Sequence, residues 1–106
     1  MAQQALVVIT TLGSEADARA LVTALVEQRL IACGTWLPAR SVFRWEGKVT
    51  EESEVVALLK TDAARWDALR ATIEQHHPYE VPELLALPVA RGLDRYLAWL
   101  ASEVAG

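Results

Sequence analysis

Residues 76–83, with the sequence HHPYEVPE, bring together the side chains of this chain that are best suited to chemistry. They include both histidines of the 106-residue protein, two of its four prolines, a tyrosine and two carboxylates. Neutral imidazole is a good ligand for copper, zinc and nickel ions, and it also serves as an acid or a base. The segment is therefore a candidate for a metal site or a catalytic site, or it only connects a helix to a strand.

The two histidines are adjacent, and adjacent residues on a regular helix do not share a face. A residue that precedes proline is displaced from the helical region, so Pro78 gives His77 a direction different from that of His76. Chelation by both rings is thus geometrically open, but it needs a third ligand from a nearby carboxylate or another subunit. The alternative is structural: His77 and Pro78 end the helix, and Tyr79 packs on a sheet.

Hydrophobic periodicity predicts the elements that position this segment. Residues 5–11 (ALVVITT) form a short β-branched run typical of a buried strand, and residues 15–29 follow the spacing of an amphipathic helix capped by Ser14. Alternating runs then flank Glu46 and Gly47, a pattern that predicts a tight β-hairpin.

A second helix is predicted after Thr61 and Asp62, which are suited to cap it, and it has to end by His77. Residues 82–89 predict a fourth strand, and a last helix begins near Gly92. The apolar positions of this last helix are Leu93, Tyr96, Leu97, Leu100 and Val104. Trp66 and Trp99 fall on helical apolar stripes, which predicts that both pack in the core.

The resulting order is β-α-β-β-α-β with a closing helix, within one domain spanning residues 1–106. This order predicts an α+β protein with the split βαβ, or ferredoxin-like, arrangement, in which helices cover one face of an antiparallel sheet. The other face is left without cover. Because 53% of the residues are apolar, we expect other subunits to pack on it.

Composition narrows the classes of function. The net charge is −4 and the basic residues are scattered, which disfavours nucleic-acid binding. No window reaches the roughly 18 apolar residues of a membrane-spanning helix, and the single cysteine excludes an internal disulfide. We therefore expect a cytoplasmic protein without nucleic-acid or membrane partners.

Five segments in order along the chain resemble the divalent-cation tolerance protein CutA family. They are residues 25–33 (LVEQRLIAC), 41–49 (SVFRWEGKV), 58–61 (LLKT), 77–83 (HPYEVPE) and 96–100 (YLAWL). The resemblance implies a ferredoxin-like trimer whose long hairpin arms reach across to neighbouring subunits. It also implies a link to tolerance of copper and other divalent metals, no established catalytic activity and no organic cofactor.

One departure from the family bears on the metal. Some bacterial members to which a copper site is assigned carry a cysteine near the end of the first strand, and the matching residue here is Thr10. Thiolates select copper(I), so the change weakens a copper(I) site. The metal ligands implied here are His76 and His77, for copper or another divalent cation.

A second candidate site is a cleft between subunits. Trp45, Lys60, Tyr79 and Glu83 lie near predicted strand ends, and clefts with apolar walls and a few polar groups are the usual small-molecule sites. The structural alternative pairs Lys60 with Glu83 and packs Trp45 in the trimer. The acidic run TEESE, residues 50–54, is expected to form a solvated face of the hairpin that attracts divalent cations only loosely.

Catalysis is the least favoured class. Cys33 would need a base within hydrogen-bond reach to act as a nucleophile, and it lies in an apolar strand where an inert thiol is commoner. The sequence therefore predicts a non-catalytic, trimeric, metal-binding protein of divalent-cation tolerance. The alternative is a trimeric effector-binding or scaffold module like the PII signalling proteins, which share the architecture.

Overall fold

The computed structural model of the chain describes residues 3–105. Its strands are β1 (Ala5–Leu12), β2 (Cys33–Trp45), β3 (Lys48–Asp62) and β4 (Leu84–Pro88). Its helices are α1 (Glu15–Glu27), α2 (Trp66–His76) and α3 (Asp94–Val104), and a 3-10 turn, Ala63–Arg65, leads into α2. The strands form one antiparallel sheet in the order β2-β3-β1-β4. The predicted β-α-β-β-α-β order with a closing helix is confirmed.

One face of the sheet packs against α1 and α2 and forms the main core. Side chains alternate along a strand, so Leu6 and Val8 of β1 lie on the same face and are buried together. Ala57 and Leu59 of β3 are buried in the same cluster. Helix α1 supplies a stripe to this core, made of Ala18, Leu21, Val22 and Leu25. Among residues 3–105, no helix is long and apolar enough to span a membrane.

The β2–β3 hairpin is much longer than its neighbours. Strand β1 pairs only with the second half of β3, so residues 39–45 and 48–54 continue as a two-stranded extension, here called the ribbon. Its turn is formed by Glu46 and Gly47, whose φ angles of 51° and 80° are those of a tight hairpin turn, as predicted. A two-stranded ribbon is only marginally stable alone in water, so this one depends on further contacts.

The second face of the sheet is only partly covered, and we call it the open face. Helix α3 lies over one end of it, where Ala5 packs against Leu100 and Val104. The backbone of α3 is held there by two arginine side chains, Arg29 and Arg65, which donate to the carbonyls of Glu103 and Val104. Beyond α3, large apolar side chains of the open face are exposed, namely Leu37, Phe43, Trp45, Leu85 and Leu87.

The prediction that Trp99 packs in the core is wrong for the described chain, in which 43% of the residue is exposed. Helix α3 buries the stripe formed by Leu100, Ala101 and Val104, which leaves Trp99 on its outer side, 5.7 Å from the ring of Tyr96. Leu93, predicted to share the apolar face, is 65% exposed. By contrast, Trp66 does pack against the core.

Cap and boundary predictions are partly confirmed. Ser14 caps α1 by accepting from the amide of Asp17, and α2 ends at His76 as Pro78 requires. Asp62 caps the 3-10 turn before α2, whereas the Thr61 hydroxyl is buried and donates to the Leu30 carbonyl. Helix α1 ends at Glu27, two residues before its predicted end, and β4 is limited to Leu84–Pro88 within the predicted range 82–89.

Replacing Gly34 by alanine tests the contact between β2 and α1. A Cβ atom at Gly34 would lie 2.7 Å from Cγ1 of Val22 and 3.1 Å from Cδ2 of Leu59. We expect Gly34→Ala to lower the free energy of unfolding by about 1–3 kcal/mol, because it overpacks the core. Urea denaturation at fixed protein concentration measures the change. In the Val22→Ala background the cost should fall by more than half, and an equal cost in both backgrounds would contradict the steric explanation.

Candidate functional site

The imidazole of His77 is a buried bridge between strand and loop. Its Nε2 atom lies 2.7 Å from the carbonyl oxygen of Thr11, and its Nδ1 atom accepts from the amide of Tyr79 at 3.1 Å. Because a carbonyl can only accept, Nε2 carries the proton and Nδ1 holds the lone pair. Only 9% of the residue is exposed. Both ring nitrogens are therefore engaged, and a metal would have to displace one of these hydrogen bonds.

His76 is placed very differently. It is the last residue of α2, is exposed, and lies on a groove of about 400 Å³ between α1 and α2, here called the helix groove. The apolar walls of the groove come from side chains that also belong to the core, among them Leu21 and Leu25. Asp17 and Gln28 add polar atoms to its lining. The lining of this groove therefore contains one imidazole, which has no hydrogen-bond partner among residues 3–105, and one carboxylate.

Thr10, the residue expected to match a cysteine of some family members, has a structural contact. It is completely buried, and its hydroxyl donates to the carbonyl oxygen of Glu83 at 2.7 Å. This bond fixes the end of residues 77–83, here called the connecting segment, while His77 fixes the start. Across residues 3–105, no three or more histidine, cysteine or acidic side chains converge as a metal site. Metal binding by His76 and His77 thus stays a prediction.

A second concavity of about 240 Å³ lies between the ribbon and the connecting segment, and we call it the ribbon cavity. Its lining consists of Phe43, Trp45, Glu52, Glu54, Tyr79, Glu80 and Val81. Two of the four predicted cleft residues, Trp45 and Tyr79, meet here. The other two lie outside the lining: Lys60 donates from Nζ to the Thr35 hydroxyl at 3.1 Å, and the side chain of Glu83 is exposed.

Three carboxylates, those of Glu52, Glu54 and Glu80, line the ribbon cavity. The Tyr79 hydroxyl donates to Oε2 of Glu54 at 3.4 Å. Burial raises the pKa of Tyr79 above its usual value, and the negative charges of Glu54 and Glu52 raise it further. The ring of Tyr79 also meets the ring of His77 edge to face, with centroids 4.9 Å apart. The phenol is therefore held neutral and in place at neutral pH.

Cys33 contacts a tyrosine of α3. Its sulfur lies 3.6 Å from the hydroxyl oxygen of Tyr96. The hydrogen bond with Cys33, followed by burial, raises the pKa of Tyr96 to about 12. A neutral phenol of this kind is a poor general base at neutral pH. The one hydrogen-bond contact of the thiol among the described residues thus offers little activation for a nucleophile.

The sequence predicts that residues 50–54 form a solvated face, whereas two of them, Glu52 and Glu54, line the ribbon cavity. Glu52 and Glu54 are two residues apart on β3, so they share a face, whereas Glu51 points to the other side and pairs with Arg40. The alternation of side chains along a strand is the sequence signal that distinguishes Glu52 and Glu54 from Glu51. Glu80 could be located at the cavity only by the path of the connecting segment.

These features define an α+β protein with a four-stranded antiparallel sheet, three helices and a long projecting hairpin. The sequence profile of the family described as CutA1 divalent ion tolerance protein matches residues 6–103. A protein from Pectobacterium atrosepticum described as divalent-cation tolerance protein CutA is 47% identical, over 91% of this chain and 88% of its own length. This chain belongs to the CutA1 divalent ion tolerance protein family.

Solved structures of the same family superpose closely. The divalent cation tolerance protein from Thermus thermophilus gives a TM-score of 0.89 at 41% identity, covering 96% of this chain and 98% of its own. A CutA from Archaeoglobus fulgidus, described as periplasmic, gives a TM-score of 0.91 at 29% identity, covering 97% and 99%. The mixed α+β fold therefore matches that of known family members.

The free energy of unfolding tests the difference between the buried His77 and the exposed His76. His77→Ala removes both hydrogen bonds of a buried ring and leaves the Thr11 carbonyl without that partner, so we expect a loss of about 2–4 kcal/mol in the free energy of unfolding. The exposed neighbour is the matched control, and His76→Ala should change stability by less than about 0.5 kcal/mol. Urea denaturation compares the two. Equal effects would contradict the bridging role of His77.

Proposed function

We propose that this chain acts in divalent-cation tolerance as a non-catalytic homotrimer, one domain over residues 1–106, that binds copper(II) or another divalent cation. Membership of the divalent ion tolerance family, with a match over residues 6–103, is the observation that carries this proposal. The family description names tolerance of divalent ions and no reaction, which supports a role without turnover. The effector-binding or scaffold alternative is not favoured, because the relatives are described by cation tolerance.

The helix groove supplies the metal ligands in this proposal. Imidazole is a good ligand for copper(II) and zinc. The ring of His76 is exposed at the groove, and its nitrogens take no part in the hydrogen bonds that engage His77. The carboxylate of Asp17 lines the same groove. Two donor groups suit weak binding, so a tight site would take further ligands from another subunit.

The open face and the ribbon support the trimer. The exposed apolar side chains Leu85 and Leu87 on β4 continue the apolar surface of the open face, and Val42 and Val49 are exposed on the other side of the ribbon. Surfaces of this kind are buried in homo-oligomers. The ribbon also needs further contacts to be stable, which arms packed on neighbouring subunits would provide.

The proposal includes a cytoplasmic location for the protein. A cytoplasmic location was expected from the sequence, and a structural relative from Archaeoglobus fulgidus is described as periplasmic.

Calorimetric titration with copper(II) at pH 7.5, in a weakly coordinating buffer, tests the metal ligands. We expect His76→Gln to weaken binding by at least about tenfold, because even changes beyond the ligands of a metal site cost that much. Asp17→Asn should weaken it less. The control variant is Asp67→Asn, which removes an exposed carboxylate of α2 outside the groove lining and should leave the affinity unchanged. Identical titrations of wild type and His76→Gln would remove this residue from the proposal.

Native mass spectrometry tests the assembly. The wild type should give the mass of three 11.7 kDa chains, and Leu85→Glu/Leu87→Glu should shift the population toward monomer because it places charge on the open face. Val26→Glu is the control, since Val26 is an exposed apolar residue of α1 and lies outside the β-sheet. Far-UV circular dichroism verifies that each variant is folded. A monomeric wild type at micromolar concentration would contradict the trimer.

A further inference from the structure

The metal ligand proposed in the helix groove, His76, is the last residue of α2. The final carbonyl groups of a helix lack partners within it, and helix ends fray unless other groups hold them. The amide of His77 donates to the carbonyl of Ile73 at 2.8 Å. Pro78, however, has no N–H to donate to the carbonyl of Glu74. The backbone bonds of α2 therefore hold its last turn only in part.

The ring of His77 adds the support that the backbone does not give. His77 leaves the helix in an extended conformation, with φ −74° and ψ 133°, and its side chain is buried. The ring donates to the carbonyl of Thr11 at the end of β1 and accepts from the amide of Tyr79. A buried polar ring keeps such bonds, because breaking them would leave its nitrogens without partners. The last turn of α2 is thus joined to the sheet.

Both ends of this bridge lie next to walls of the helix groove. His76, which precedes His77, lines the groove, and so does Leu12, which follows Thr11. The bond between His77 and Thr11 therefore joins two parts of the groove wall. The second proposed donor, Asp17, lies on α1. A metal held by Asp17 and His76 needs the end of α2 at a fixed separation from α1, and the bridge is the contact that fixes that end.

We infer that His77 is a positioning residue of the metal site and is not one of its ligands. This inference rests on the proposed function, since it requires a divalent cation held by His76. The bridge keeps the last turn of α2 formed before the metal arrives, so binding does not have to order that turn. Ligands that are already ordered bind more tightly, because the entropy cost of ordering them falls outside the binding step. Loss of the bridge therefore weakens metal binding at His76 although no ligand is removed.

Calorimetric titration of the full-length protein with copper(II) tests the inference through three variants of one residue. His77→Ala removes both hydrogen bonds of the ring and should weaken binding at least about tenfold. His77→Gln keeps a donor for the Thr11 carbonyl, and His77→Asn keeps an acceptor for the Tyr79 amide. Each should weaken binding only about threefold, because one of the two bonds is kept. The matched control is Thr61→Val, which removes another buried bond of 2.7 Å, to the Leu30 carbonyl outside the groove lining, and should leave the affinity unchanged.

Pulsed EPR of the copper(II) complex distinguishes a positioning residue from a ligand, because it counts the imidazole rings bound to the metal. We expect the same count in the wild type, His77→Gln and His77→Asn. Loss of one ring in the two amide variants would make His77 a ligand and overturn the inference, even if His77→Ala does not fold. Unchanged affinity in His77→Ala, or an equal loss in Thr61→Val, would also overturn it. A wild type that binds no copper(II) would contradict the proposed function itself, so the two failures are distinguishable.

Discussion

The arrangement of both candidate sites depends on one buried side chain, the imidazole of His77. It donates to the carbonyl of Thr11 at the end of β1 and accepts from the amide of Tyr79, and so ties the exit of α2 to the sheet. A buried ring with both nitrogens satisfied is stable in one tautomer and one orientation. The ring of His77 thereby positions the start of the connecting segment, which leads to β4.

The second fixed point is the hydroxyl of Thr10, which donates to the Glu83 carbonyl just before β4 begins. Between these two bonds the connecting segment has little freedom, and Pro78 and Pro82 restrict its backbone further. One consequence is that Tyr79 reaches Glu54 of the ribbon. The other is that His76 is left on the helix groove, free of the bridge. The bridge formed by His77 thus distinguishes the two rings, since the nitrogens of His77 are engaged and those of His76 are not part of the bridge.

The different surroundings of His76 and His77 bear on which of them can serve as a metal ligand. The sequence predicts both His76 and His77 as metal ligands. In the structure, both ring nitrogens of His77 are engaged in hydrogen bonds, and this structural role conflicts with coordination. The proposed function therefore places the metal in the helix groove at His76. The ribbon cavity is lined by carboxylates and aromatic rings, and within the described residues no set of ligands converges there as a metal site.

The sequence by itself determined the order of elements, the hairpin turn at Glu46 and Gly47, and the end of α2 at His76. These features follow from local chemistry: hydrophobic periodicity, a turn that needs positive φ angles, and the restriction that proline places on the preceding residue. Only the tertiary structure decided that Trp99 lies outside the core, that Glu52 and Glu54 face a cavity, and that both nitrogens of His77 are engaged. Each of these depends on which distant segment packs against the residue, and that information is absent from local spacing.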